Sequence, residues 1–501
     1  MILLIFFNRT FIEGLKLMAI QIVQKRGFAT EKNIKGSHHL FVLDSATLKT
    51  FPFHKELDRK LKRTDKKMES LTKSPITMET QGGHLLSFVV LDKKKNTFQR
   101  HTAIRKALQP LLSENPPMLT IGIFGSEDLK EQNARAAIYV ALMNSQTLPS
   151  RKKENLKKNI KLIELFGVEI QDKFTDEVAI VSGNTLTREL TMLPPNELTP
   201  SIYRTKIKSL AKSNGWKLEE FDMTKLKKIG AGSFVAVGQG SEPQDAAIVH
   251  LTYKPKHIKK TIAVIGKGIC FDTGGHNLKP ARYMHGMHED MNGSAVSLGI
   301  LLSATLLKLP IQIDCWLAIA QNHIGPKAYK QNDVVKSLNG TSIEIIHTDA
   351  EGRMVLADTL TLASRLKPDM MMDFATLTGS MATALGDRYS GVISNRPELS
   401  CLAVGAGSEA GERIATFPFD EDYEEDLDSG IADIKQCTLE GGADHIHAAR
   451  FLHRFIENNV PWLHTDLSSS NRKGGLGAAI SEVNGFGVNF GIQVLKKVLQ
   501  K

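Results

Sequence analysis

The chain has 501 residues, 42% of them hydrophobic and 24% charged, with a formal net charge of +10 at pH 7. Two domains and a sizeable core are the natural expectation at that length, while no stretch approaches the ~20 apolar residues of a membrane span. Four cysteines (Cys270, Cys315, Cys401 and Cys437) are scattered without a CxxC pattern, which excludes a disulfide framework and implies reduced thiols.

The first thirty residues differ from the rest. Arg9, Lys16, Lys25 and Arg26 face a single acid, Glu13, with apolar residues between. A basic, amphipathic, acid-poor start reads as a mitochondrial transit peptide over residues 1–28 and places the protein in the matrix, with a cytoplasmic location as the alternative. Arg26-Gly27-Phe28-Ala29 resembles a matrix-processing site, and Met18 offers an internal start. A secretory signal is the rival, but residues 2–7 have no charged region before them and no small-residue cleavage pattern close after.

Residues 29–175 are expected to form a smaller α/β domain, with strands at 40–43, 85–91, 118–124 and 162–168 and a helix at 133–143. Most of the positive charge lies here, at 60–67, 93–95 and 151–161. These lysine-dominated runs lack interleaved aromatics, so a solvated face is expected rather than a nucleic-acid surface. A connecting helix over 176–193 is broken by Pro194-Pro195, neither of which donates a backbone hydrogen bond. From 194 to 501, strands at 261–265, 313–320, 343–346 and 370–375 alternate with helices at 293–307 and 354–366. That alternation indicates a larger, doubly wound α/β domain with a mixed sheet. Active sites in such sheets form at the carboxyl ends of strands, and Lys267, Asp272, Asn322, Asp349 and Thr376 are all expected to follow strand ends.

The chemistry concentrates in the same region. Gly266-Lys267-Gly268, Phe271-Asp272-Thr273-Gly274-Gly275, Lys279, Asp290-Met291 and His347-Thr348-Asp349-Ala350-Glu351-Gly352-Arg353 bring four carboxylates, two lysines and an arginine into one stretch of chain. Hard divalent cations want oxygen ligands, and a pair of them about 3.5–4 Å apart needs carboxylates that bridge. Asp349 and Glu351, two apart, point the same way if they end an extended strand. Cys270 reads as a small buried residue rather than a ligand.

In that order, Lys267, Asp272, Lys279, Asp290, Asp349, Glu351 and Arg353 resemble the leucyl aminopeptidase (cytosol aminopeptidase) family of dinuclear metallo-exopeptidases. The family signature reads Asn-Thr-Asp-Ala-Glu-Gly-Arg, and this chain departs from it at His347. The resemblance runs from about residue 175 to the end, through Leu193-Pro194-Pro195-Asn196, Asp373-Phe374-Ala375-Thr376-Leu377-Thr378-Gly379, Gly441-Gly442-Ala443 and Trp462-Leu463-His464-Thr465-Asp466.

The resemblance implies two divalent metal ions, Zn²⁺ or Mn²⁺ with Mg²⁺ and Co²⁺ as alternatives. One would be held by Lys267, Asp272, Asp290 and Glu351, the other by Asp272, Asp349 and Glu351. It further implies Lys279 as the group that polarises the scissile carbonyl, a bicarbonate near Arg353 that relays a proton, and Met287, Thr376, Leu377 and Gly379 lining the pocket for the first side chain. Short peptides with apolar first residues are the implied substrates and a homohexamer the implied assembly. The alternative is a weakly active member that serves as an abundant structural protein, as some do in sperm mitochondria. His347, and Asn292 where a small residue is usual, are the departures that favour it.

Overall fold

The computed structural model describes residues 20–28, 36–45, 51–153 and 160–500. The first part of the chain runs β1 (Gln21–Lys25), β2 (His38–Leu43), α1 (His54–Arg63), β3 (Ile76–Glu79), β4 (Leu85–Val90), α2 (Thr97–Ser113), β5 (Met118–Ile123), α3 (Glu127–Asn144) and β6 (Leu162–Phe166). These strands form one six-stranded sheet in the order β1-β6-β5-β2-β4-β3, parallel except where β3 meets β4. Central strands of such a sheet are covered on both faces and read as unbroken apolar runs. β2 is buried at every residue, with Leu40–Leu43 as its apolar run after His38 and His39.

Residues 1–19 of the expected leader, with Arg9, Glu13, Lys16 and Met18, lie outside the described residues, as do Ala29 and residues 154–159 of the basic connector. The remainder of the expected leader is different. Gln21–Lys25 is an edge strand registered on Leu162–Phe166, its Gln24 side chain bonded in both directions to the Ile170 backbone. Phe28 stacks on Phe124 at 5.3 Å. A cut after Phe28 would therefore strip a paired strand from the sheet. Lys25 and Arg26, which look like leader, stand at the exposed end of that edge strand, where charge discourages pairing with other chains.

Helix α4 (Thr175–Thr191) ends before Pro194 and packs on α3 on one side and on the next part of the chain on the other. That part runs α5 (Pro200–Asn214), β7 (Lys217–Asp222), α6 (Met223–Ile229), α7 (Gly232–Gly238), β8 (Ala247–Tyr253), β9 (Lys260–Asp272), α8 (Ala281–Met284), α9 (Asn292–Leu306), β10 (Ile311–Asn322), β11 (Val334–Lys336), β12 (Ser342–Glu344) and α10 (Glu351–Arg365). It continues through β13 (Met370–Ala375), α11 (Gly379–Leu385), β14 (Ser390–Ser394), α12 (Pro397–Ala410), β15 (Ile414–Thr416), β16 (Ile434–Lys435), α13 (Asp444–His453), β17 (Trp462–Asp466) and α14 (Val488–Gln500). Eight strands make the larger sheet, ordered β15-β14-β17-β13-β9-β10-β8-β7. Its centre, β17-β13-β9-β10, is parallel, with antiparallel pairs toward both edges.

Two expectations change here. The strand expected at 261–265 continues to Asp272, because Gly266 and Gly268 extend it instead of ending it. The strand expected at 343–346 is short and leaves the main sheet, pairing with β11 and β16 in a separate three-stranded one. A short apolar run says nothing about which sheet it joins.

Candidate metal centre

The site is built around the carboxyl end of β9. A Cβ on Gly266 would lie 2.4 Å from the Ser294 Cα, so only glycine lets the first turn of α9 rest directly on the strand. That contact brings Asp290, two residues before α9, against Lys267. Lys267 is therefore inside β9, not past its end. Its Nζ lies 2.9 Å from each oxygen of Asp290, from Glu351 Oε1 and from the Thr376 carbonyl. Thr376 Oγ1 donates to Asp290 Oδ1 at 2.6 Å.

Asp272 ends β9, and its Oδ1 accepts from the Gly274 backbone and from Asn322 Nδ2, both at 2.8 Å. The loop that follows doubles back, Lys279 N donating to the Thr273 carbonyl at 2.9 Å. Lys279 Nζ thereby reaches Asp272 Oδ2 at 2.9 Å and Asp349 Oδ1 at 2.6 Å. Thr348 pins the two loops together, donating to the Gly274 carbonyl at 2.6 Å and accepting from Asn277 N at 2.8 Å.

Asp349 and Glu351 are not the end of an extended strand. Asp349 sits in a turn closed by Ala350 N on the His347 carbonyl, and Glu351 is the first residue of α10. The helix start favours a carboxylate there. A Cβ at Gly352 would come within 2.6 Å of Lys267 Cε, so that glycine makes room for the lysine stem.

Burial, reinforced by neighbouring acids, holds Asp290, Asp349 and Glu351 well above the usual carboxylate range. Burial alone would pull Lys267 and Lys279 down, but the surrounding carboxylates outweigh it and hold both ammoniums above their ordinary values. When ionised, the four carboxylates outnumber the two ammoniums among them. Of the buried oxygens, Glu351 Oε2 has no hydrogen-bond partner, while Glu351 Oε1, Asp290 Oδ2 and Asp349 Oδ1 face only the lysine ammoniums, at 2.9, 2.9 and 2.6 Å. Asp272, Asp290 and Glu351 offer oxygens that all lie within 4.8 Å of one another. An excess of acids and buried oxygens short of donors at that spacing fit hard divalent cations.

The metal-ligand, catalytic and pocket residues implied by the resemblance line one cleft of about 650 Å³: Lys267, Asp272, Asp290, Asp349 and Glu351, with Lys279, Arg353, Met287, Thr376, Leu377 and Gly379. Asp466, at the end of β17, sets the wall by accepting from Leu377 N at 3.0 Å and from Thr378 Oγ1 at 2.7 Å. The two departures do not crowd the ligands. Asn292 turns to α4, its Nδ2 donating to Thr191 Oγ1 at 3.0 Å, and His347 Nδ1 accepts from Asp349 N at 3.2 Å.

Sequence reasoning missed Gln436 and Asp444. Gln436 Oε1 accepts from the Ile346 and His347 backbones at 3.1 Å, and its carbonyl accepts from Arg353 Nη1 at 3.1 Å. Arg353 Nη2 donates to both oxygens of Asp444, at 2.8 and 2.9 Å. An acid just past Gly441-Gly442-Ala443 was the available signal for Asp444. Beside Arg353, where a bicarbonate is expected, the carboxylate of Asp444 faces Nη2 of the guanidinium, while Nε has no hydrogen-bond partner.

A sequence model of the catalytic domain of the cytosol aminopeptidase family matches residues 185–491. The chain is 43% identical over 305 residues to a probable cytosol aminopeptidase of Pseudomonas fluorescens (strain SBW25), covering 60% of this chain and 61% of that protein. It is 34% identical over 370 residues to one of Rickettsia canadensis (strain McKiel), covering 71% and 73%. The match thus spans about three fifths of the first relative's length. Among solved structures, the bottromycin maturation enzyme BotP in complex with Mn superposes with a TM-score of 0.80 at 26% identity, over 93% of this chain and 100% of that one. A tomato leucine aminopeptidase variant shares the fold, with a TM-score of 0.84 at 22% identity over 96% and 97%.

Proposed function

The chain belongs to the cytosol aminopeptidase family, and from that premise we propose that it is a metal-dependent aminopeptidase releasing the first residue of short peptides. The observation that carries this reading is the buried carboxylate cluster, whose excess of acids and oxygens short of donors call for cations. Lys267, Asp272, Asp290 and Glu351 would hold one ion, and Asp272, Asp349 and Glu351 the second. At that place two divalent ions, zinc or manganese first, supply an acidified water, polarise a carbonyl and anchor a free α-amine.

The chain's own groups do the rest. Lys267 would hold its ion as a neutral amine, a form that nearby dications would favour. Lys279 is freed from Asp272 and Asp349 as their charge is taken up elsewhere, and its ammonium then faces the developing oxyanion. Met287, Leu377 and Gly379 receive the first side chain, with apolar residues preferred, against the wall fixed by Asp466. A homohexamer in the mitochondrial matrix completes the reading, with any leader ending before β1. A monomer mass by light scattering would remove the hexamer.

The deciding experiment loads the purified chain with Zn²⁺, Mn²⁺ or Co²⁺ and measures leucine release from leucyl peptides. Turnover above the metal-free rate is expected. Background rates with every metal, at confirmed occupancy, would overturn the enzyme and favour a structural role.

A further inference from the structure

Arg353 lies on α10, two residues after Glu351, and is 2% exposed. A buried guanidinium needs a counter-charge, and its Nη2 takes both oxygens of Asp444. Nη1 is spent on the Gln436 carbonyl. Asp444 opens α13, whose first turn favours an anion, and Ala443 before it caps the helix in the left-handed region, with a φ of 52°. Two independent attractions therefore hold the carboxylate in place. It is not sealed away: its side chain keeps 22% of its surface exposed, and it lines the same cleft as Asp272, Asp349 and Glu351.

We propose that Asp444 fills, from within the chain, the anion place beside Arg353 and carries the proton of the cleavage, so that this site takes no free bicarbonate. The inference rests on the aminopeptidase reading for its second half only. In the first step a water O–H bond breaks, the proton passes to an Asp444 oxygen, and the water oxygen bonds to the peptide carbonyl carbon. In the second the C–N bond breaks and the proton moves from Asp444 to the departing nitrogen, which restores the carboxylate. Arg353 holds the carboxylate in place throughout and is its positioning partner. A tethered acid needs no binding step, which is the advantage of an intramolecular group over a diffusing one.

The test uses the full-length, metal-loaded protein in decarbonated buffer, with Asp444→Gly and Asp444→Asn. Wild-type kcat is expected to be the same with and without added bicarbonate. Asp444→Gly should lose on the order of 10²–10⁴-fold in kcat, the usual contribution of a proton-transfer group, and recover in part on adding bicarbonate. Asp444→Asn, which keeps the place filled and the local shape, should lose a similar factor in kcat at little change in KM and should not recover. Line broadening of ¹³C-labelled bicarbonate gives a readout that needs no turnover. It should be absent with wild type and present with Asp444→Gly. Stimulation or broadening by bicarbonate in wild type would overturn the proposal, as would full activity of either variant in decarbonated buffer. If wild type is inactive with every metal, the proton-carrying role falls with the aminopeptidase reading, and the broadening experiment still decides whether the anion place is filled.

Discussion

Glu351→Gln separates a metal ligand from a structural acid by reversing the order of stability with and without metal. In the metal-free protein the Glu351 carboxylate is buried, has no hydrogen-bond partner at Oε2 and stands among an excess of acids. An unsatisfied buried polar group costs about 1–3 kcal/mol. Glutamine keeps the shape, removes one negative charge and offers an N–H to Asp290 Oδ2. Against this, Lys267 loses one of its two carboxylates but retains Asp290 and the Thr376 carbonyl. The net expectation in chelator is a gain of about 1 kcal/mol, or ~1–2 °C in Tm for a chain of this size. With metal the sign flips. Each ion at a hundred times its Kd adds about 2.7 kcal/mol to the native state, and the variant loses a ligand proposed for both. Thermal unfolding in chelator and in Mn²⁺, beside elemental analysis of bound metal, reads both halves. A variant that unfolds below wild type in chelator and keeps the full metal-induced rise would refute the assignment.

Asp272→Ala should lose at least one ion by elemental analysis, because Asp272 is a ligand proposed for both ions and only Glu351 would remain to span them. Lys279→Ala should retain both ions yet lower kcat by about 10²–10³-fold, as removal of an oxyanion donor does; metal loss in the lysine variant alone would reverse the two roles. Gly352→Ala should weaken metal binding and cost roughly 1–3 kcal/mol in overpacking, because the Lys267 stem 2.6 Å away is enclosed; unchanged melting and metal content would sink that account. Glu412, half-buried away from the site, accepts from Gly487 N and Phe490 N and is raised by burial from 4.5 to about 7. Its folded-state pKa lies above the unfolded one, so its contribution, on the order of 3 kcal/mol, is present below pH 4.5 and lost as pH rises through about 7. Tm profiles of wild type and Glu412→Gln should diverge across that window, and parallel profiles would contradict it.

The proposed ligand residues were legible because metal chemistry restricts which side chains serve and the motif fixes their order. Asp272, Asp290, Asp349 and Glu351 could be proposed from sequence because their order among glycine turns resembles the cytosol aminopeptidase family's motif. What could not be read was how each is delivered. Gly266 looks like a strand end in sequence, yet in the fold it extends β9 and clears the space for α9, and only the packed helix shows why a side chain is excluded there. Asp349 and Glu351 keep their two-residue spacing in a turn and a helix start as readily as on a strand, so spacing alone left their conformation open.

The misses share a different cause. Gln436 acts through its backbone carbonyl and its amide, and any residue has a carbonyl, so no residue-type signal marks it. Gln21–Lys25 carries the composition of a leader and the alternation of an edge strand at once. Its partner, Leu162–Phe166, lies more than a hundred residues away and settles the matter only through pairing. Asp444 is separated from Arg353 by ninety-one residues of chain, and read alone it is one acid at a helix start, where acids are common. Its meaning comes from the cation it faces. A buried arginine near a metal cluster requires an anion, and sequence shows the arginine without showing whether the chain or the solvent provides that anion. Here the chain provides it, which is why the resemblance led to a bound ion and the fold leads to a side chain.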